Sequence, residues 1–109
     1  MNSFLSWIGG KKLLRKKILE AFPDEGTYSR YIEVFGGAGW VLFSKEKHAS
    51  IEVYNDVNGE LVNLFRCSKY HPEALCKELE YTIMSREQFF DAKDQIQMRG
   101  LTDLQRAAR

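Results

Sequence analysis

Apolar residues along this chain keep two rhythms, and the switches between them outline helices and strands. Between Lys11 and Phe22 they fall at Leu13, Leu14, Ile18, Leu19 and Phe22, a helical spacing with the lysines and the arginine on the other side. Gly9-Gly10 breaks the chain before this helix, Pro23 ends it, and Asp24-Glu25-Gly26 makes a turn. Tyr31–Phe35 is rich in β-branched and aromatic residues and predicts a strand. Gly36-Gly37-Ala38-Gly39 follows at once. Trp40–Phe43 then leads into Ser44-Lys45-Glu46-Lys47, a short helix buried at its start and charged at its end. Ser50–Tyr54 predicts a second strand, and Asn58 in the next turn is placed to cap a helix carrying Leu61, Val62, Leu64 and Phe65. Pro72 stands at a first helical position, ahead of Leu75, Leu79 and Ile83. Ser85-Arg86-Glu87-Gln88 reads as a capping box for a helix with Phe89, Phe90 and Ile96 that Gly100 ends, and Thr102-Asp103-Leu104-Gln105 as another.

The strand–helix–strand spacing implies a right-handed crossover and two parallel strands, hence an α/β fold. Two parallel strands alone are a poor domain, because such sheets need neighbours and cover on both faces. A last helix that opens at Thr102 and runs to Arg109 points the same way, so the chain is expected to be a part of something larger.

Composition narrows the classes. Apolar residues are 44% and charged residues 28% of 109, an ordinary globular balance for one small domain. No apolar run approaches the roughly 20 residues that span a bilayer. The start, Met1–Trp7, has neither the charge nor the apolar length of a signal peptide, which makes the cytoplasm the expected location. Cys67 and Cys76 lack CxxC spacing and His48 and His71 lack ligand spacing, so no metal site is expected and the cysteines read as free thiols in a reducing compartment. The net charge of +1 is uneven: residues 1–20 carry +4 and the other 89 carry −3. A basic N-terminal segment can face a polyanion; it can equally be a solvated helix face.

Three segments carry candidate chemistry. In Glu33-Val34-Phe35-Gly36-Gly37-Ala38-Gly39, small residues after a strand allow a sharp turn and close approach of a ligand, and a following helix start offers free N–H groups. Glu33 lies near the carboxyl end of its strand, where open α/β sheets bind ligands, and a carboxylate there suits a cationic amino group. A purely structural turn is the alternative. Asp56 comes seventeen residues after Gly39, just past the second strand, where an acid accepts bonds from ribose hydroxyls; in that turn it can instead cap the following helix. Trp7-Ile8-Gly9-Gly10-Lys11 offers an aromatic wall, or a core anchor, and a lysine able to reach a carboxylate or phosphate. A dinucleotide fold fits poorly, since the third small residue of G-x-G-x-x-G is Leu42 and about thirty residues precede the first strand. A P-loop fails too: Leu5 stands where its first glycine belongs, and Lys12 where Ser or Thr follows its lysine.

In this order and spacing, the segments resemble the Dam-type DNA adenine-N6 methyltransferases. That family opens with W-x-G-G-K, ends its first strand in D/E-x-F-x-G-x-G, and places N-D-x-N or D-I-N after the next strand. Here these are Trp7–Lys11, Glu33–Gly39 and Asn55-Asp56-Val57-Asn58. Ser85–Phe90 and Leu104–Ala108 look like its helices leading to target recognition, so the resemblance covers essentially the whole chain.

The resemblance implies a Rossmann-like S-adenosylmethionine-dependent methyltransferase fold, truncated after its first two parallel strands and their helices. Residues 1–84 would be the N-terminal part of the cofactor domain, and 85–109 the start of the helical region before an absent target-recognition domain. The implied cofactor is S-adenosylmethionine. Trp7, Gly10 and Lys11 would line its site, Glu33, Phe35 and the Gly37–Gly39 turn would meet its methionine portion, and Asp56 its ribose. Lys12, Arg15 and Lys16 would meet double-stranded DNA in the full-length enzyme. The family's catalytic D-P-P-Y holds a flipped-out adenine. It has no counterpart here, where the only prolines are Pro23 and Pro72, so no catalytic residue carries over and the chain alone is expected not to methylate DNA. Without the strand that bears that motif, Tyr31–Phe35 would present an open apolar edge that invites self-association or pairing with a C-terminal half. Two other readings compete: a non-catalytic remnant that binds S-adenosylmethionine or DNA, and an interaction protein whose glycines only make turns.

Overall fold

The computed structural model describes residues 3–82 and 85–109; Ile83, one of the predicted apolar positions, lies outside the described residues. The chain falls into two compact units, Met1–Val57 and Asn58–Arg109.

In the first unit, α1 (Arg15–Glu20) precedes β1 (Arg30–Glu33), a 3-10 turn (Leu42–Ser44) and β2 (Ile51–Tyr54). The strands pair in parallel, with Arg30 opposite Ile51 and Glu33 opposite Tyr54. Because side chains alternate along a strand, Tyr31, Glu33, Glu52 and Tyr54 share one face, and Ile32 and Val53 the other. The first face is covered: Tyr31 packs among Phe22 and His48, with ring centroids 5.3 and 4.8 Å away. His48 is buried and its Nε2–H donates to the Val41 carbonyl at 2.8 Å. The second face, with Ile32, Ile51 and Val53, is exposed.

The predicted helix from Lys11 to Phe22 is shorter than its pattern. Lys11–Leu14 forms turns, and α begins only at Arg15. Leu13 is 93% exposed, so nothing there rewards a helical face by burial. The predicted helix after Trp40 is reduced to the 3-10 turn; β1 starts one residue earlier and ends two earlier than predicted, and β2 lacks only Ser50.

The second unit is helical: α2 (Gly59–Tyr70), α3 (Pro72–Leu79), α4 (Arg86–Gln95) and α5 (Asp103–Ala108). Its boundaries follow local rules. The Asn58 side chain accepts the Glu60 and Leu61 N–H groups at the start of α2, and Pro72 is the first residue of α3. Ser85 Oγ accepts the Gln88 N–H, and Thr102 with Gln105 forms a full reciprocal box. Leu61, Cys67 and Leu75 are its buried apolar residues among those described. No described helix is long and apolar enough to cross a membrane.

Candidate functional site

The chain leaves β1 at Glu33 and bends at Gly36–Gly39, where the Gly39 N–H donates to the Gly36 carbonyl at 2.9 Å. Gly37 and Gly39 have φ of +53° and +72°, a region that L side chains rarely adopt. Gly36 is required for a different reason. A Cβ there would lie 2.6 Å from Tyr54 Cδ2 and 2.8 Å from Cζ, so the phenol ring rests directly on the glycine backbone.

Asp56 is drawn onto this bend. The strand pairing continues past β2, with the Asn55 N–H on the Glu33 carbonyl and the Gly36 N–H on the Asn55 carbonyl, each 2.8 Å. That register carries Asp56 to the Gly37 N–H, which donates to its Oδ2 at 2.9 Å. From the other side, Tyr54 OH donates to the Gly37 carbonyl at 2.6 Å. The N–H and the carbonyl of one residue, Gly37, are thus held by the last residue of β2 and by the turn just after it. The cap of the following helix, the alternative role for Asp56, is taken by Asn58.

Glu33 is the buried acid of the unit, 6% exposed. Tyr31 OH donates to its Oε1 at 3.1 Å, while Oε2 has no hydrogen-bond partner among the described residues. Burial raises the Glu33 carboxyl above the ordinary carboxylate range; the Tyr31 hydroxyl, Lys11, the Leu42 amide and His48 pull it partly back. The Tyr54 phenol is pushed up to about 12, by burial first and then by the charges of Asp56 and Glu33. Tyr54 therefore stands between two acids at the carboxyl ends of the strands.

The N-terminal segment closes over the bend. Gly9 (φ +77°) lets the chain turn so that the Gly10 N–H meets the Trp7 carbonyl at 3.1 Å. The Trp7 indole reaches Gly37: a Cβ there would stand 3.4 Å from its Cδ1. Lys11 Nζ donates to the Phe35 carbonyl, while the Phe35 ring is 76% exposed. Trp7, Lys11, Glu33, Gly37 and Asp56 are therefore gathered around one bend. Gly10 approaches Trp40 instead, and Gly39 lies against the Phe43 ring. Lys12 and Arg15 stack on the Trp40 indole, 5.2 and 5.5 Å from its centroid, and Lys16 is exposed.

Sequence reasoning missed Tyr31, Tyr54 and Trp40. The signal for the first was available, since Tyr31 stands two positions before Glu33 on the same strand face; Tyr54 joins that face only through the register of the two strands. Two hollows lie in the second unit. One of about 670 Å³ is lined by Thr82, Arg86, Phe89 and Arg109, and one of about 360 Å³ by Cys67, His71 and Leu104. Neither is lined by a residue of the bend. A group of three His, Cys, Asp or Glu able to hold a metal is absent among the described residues.

A family model described as D12 class N6 adenine-specific DNA methyltransferase matches residues 7–109. The chain is 30% identical over 114 aligned residues to the type II methyltransferase M1.LlaDCHI of Lactococcus lactis subsp. cremoris, covering all of this chain and 39% of that protein. It is 34% identical over 85 residues to the type II methyltransferase M.MjaIII of Methanocaldococcus jannaschii, with 72% of this chain and 29% of that one covered. It is 35% identical over 75 residues to the DNA adenine methylase of Haemophilus influenzae, covering 69% and 25%. The chain thus spans about two fifths or less of the length of the relatives it matches.

Proposed function

The chain belongs to the D12 class of N6 adenine-specific DNA methyltransferases, and from that premise we propose that it is the cofactor-binding, N-terminal portion of such an enzyme. In this reading β1 and β2 are the first two strands of a Rossmann-like methyltransferase fold. Residues 1–84 belong to the cofactor domain and residues 85–109 begin the helical path to target recognition.

The residues at the bend fit S-adenosylmethionine. The observation that carries the reading is the pair of acids at the strand ends, Glu33 with a buried Oε2 that has no hydrogen-bond partner among the described residues, and Asp56 on the glycine backbone. A zwitterionic amino acid joined to a nucleoside needs an acid for its ammonium group and a second for its ribose hydroxyls. Glu33 is assigned the first and Asp56 the second. Gly37 serves twice: it has no side chain to fill the space beside Trp7, and its N–H steers the Asp56 carboxylate. Trp7 supplies an aromatic wall above Gly37. Lys11 ties the Trp7–Lys11 segment to the Phe35 carbonyl and offers a positive charge near Glu33. The bound cofactor supplies a methyl group on a sulfonium; the protein orients it and shapes the field around it.

The substrate in the whole enzyme is adenine N6 in double-stranded DNA, and Lys12, Arg15 and Lys16 are assigned to its phosphates. No D-P-P-Y occurs within these 109 residues, so the chain alone binds the cofactor without transferring its methyl group. The cytoplasm is the site of action.

Calorimetry with S-adenosylmethionine tests the core of this reading. Binding by the parent chain, weakened at least tenfold in Asp56→Ala, is expected. Absence of heat with a folded parent chain would end it. Mixing the chain with a C-terminal half carrying D-P-P-Y should restore methyl transfer to DNA.

A further inference from the structure

We propose that Tyr31 is a positioning residue: its hydroxyl holds one oxygen of the Glu33 carboxylate and leaves the other to take the ammonium group of the cofactor. The inference rests on the assignment of Glu33 made above, and adds a residue that no motif of the sequence contains.

The geometry is asymmetric. Oε1 accepts the Tyr31 hydroxyl at 3.1 Å, and Oε2, in a residue 6% exposed, has no hydrogen-bond partner among the described residues. A buried carboxylate oxygen without a donor is costly unless a cation or donor arrives. Tyr31 itself is locked by packing. Its ring lies against Phe22 and His48, and Tyr31 and Glu33 are two residues apart on one face of β1. The hydroxyl is thus fixed by the core and selects a single carboxylate rotamer. A phenylalanine would keep the packing and lose only that hydrogen bond.

Tyr31 also acts on charge. A hydroxyl donating to a carboxylate favours the ionised form, and this bond opposes the burial that pushes the Glu33 carboxyl upward. The other groups facing Glu33 are Lys11, the Leu42 amide and His48. From β2, Tyr54 stands beside it, and Glu52 faces Tyr31, as does Tyr28. None of these is changed by Tyr31→Phe, so the variant isolates one hydroxyl.

The test is calorimetry of the full chain with two ligands across a range from mildly acidic to mildly alkaline pH. S-adenosylmethionine carries the amino-acid arm, and 5′-methylthioadenosine lacks it. Tyr31→Phe should weaken S-adenosylmethionine about tenfold at neutral pH, the loss expected for one hydrogen bond to a charged group. The deficit should grow as pH falls and shrink as it rises, and 5′-methylthioadenosine should bind as in the parent. Adding Tyr31→Phe to Glu33→Gln should cost nothing further, which reads the dependence of one residue on the other even if the single variant loses some stability. Equal weakening of both ligands at every pH would make Tyr31 merely structural and overturn the inference, as would an unchanged affinity for S-adenosylmethionine. A parent chain that binds neither ligand, or a Glu33→Gln variant as tight as the parent, would instead remove the underlying assignment of Glu33.

Discussion

Replacing Gly36 by alanine adds one methyl group at a place where a tyrosine ring already sits. The new Cβ would stand 2.6 Å from Tyr54 Cδ2 and 2.8 Å from Cζ, well inside van der Waals contact, so the ring must leave. Overpacking of this kind costs about 1–3 kcal/mol. Moving the ring also breaks the 2.6 Å bond from Tyr54 OH to the Gly37 carbonyl, worth about 1 kcal/mol. Together the expected loss is about 2–4 kcal/mol. Urea unfolding would read it as a lower midpoint at constant slope, and near-ultraviolet dichroism would report the tyrosine's changed surroundings. Gly59→Ala is the contrasting case. A Cβ there meets nothing within 4 Å, at the first position of α2, and should leave stability unchanged or slightly raised. The clash itself is isolated by Tyr54→Ala: the double variant should be no less stable than Tyr54→Ala alone, a favourable coupling of about 2–4 kcal/mol. A Gly36→Ala chain that unfolds within about 0.5 kcal/mol of the parent, with its tyrosine spectrum intact, would refute the reasoning.

Three further outcomes are expected. Burial lifts the Glu33 carboxyl, so the native chain keeps that proton at pH values where the unfolded chain has lost it. Stability from this group is therefore present on the acid side and declines as pH rises from the ordinary carboxylate range through the raised value. Glu33→Gln should flatten the decline and raise the urea midpoint at neutral pH while weakening cofactor binding; a midpoint that falls instead would contradict the sign. Changing Lys12, Arg15 and Lys16 together to glutamine should weaken DNA binding and reduce the slope of log affinity against log salt by about 2.7, and an unchanged slope would remove them from the DNA face. The β1 edge away from β2, flanked by exposed Ile32 and Val34, should drive concentration-dependent association by light scattering that Val34→Lys suppresses; a clean monomer at high concentration counts against it.

Much of the candidate site was legible as motifs because its requirements are local. The bend at Gly36–Gly39 needs residues that tolerate positive φ and close approach, and those letters announce themselves whatever the rest of the chain does. The same holds for Asn58, Pro72 and the Thr102–Gln105 box, where each bond spans four residues or fewer. Three motifs in register were enough to indicate the family, and a match over residues 7–109 bears that out.

Helix α1 marks the first limit. Its apolar spacing ran from Leu13, but a stripe becomes a helix only where something buries it, and Leu13 and Leu14 face solvent. Asp56 marks the second. From the letters it was an acid in a turn, free to cap a helix or hold a ribose. Only the parallel register of β1 and β2 carries it across nineteen positions to the Gly37 N–H, with Tyr54 closing on the carbonyl of the same residue. The third is the unequal treatment of the two oxygens of Glu33. Whether an acid after a strand is solvated or buried depends on the rings folded over it, and Phe22, Tyr31 and His48 come from three separate stretches of chain. Sequence by itself determined the turns, the caps and the order of the motifs, since those arise from neighbours along the backbone. Tertiary structure decided which donors and acceptors meet, because strand pairing and packing bring together atoms that no local rule relates.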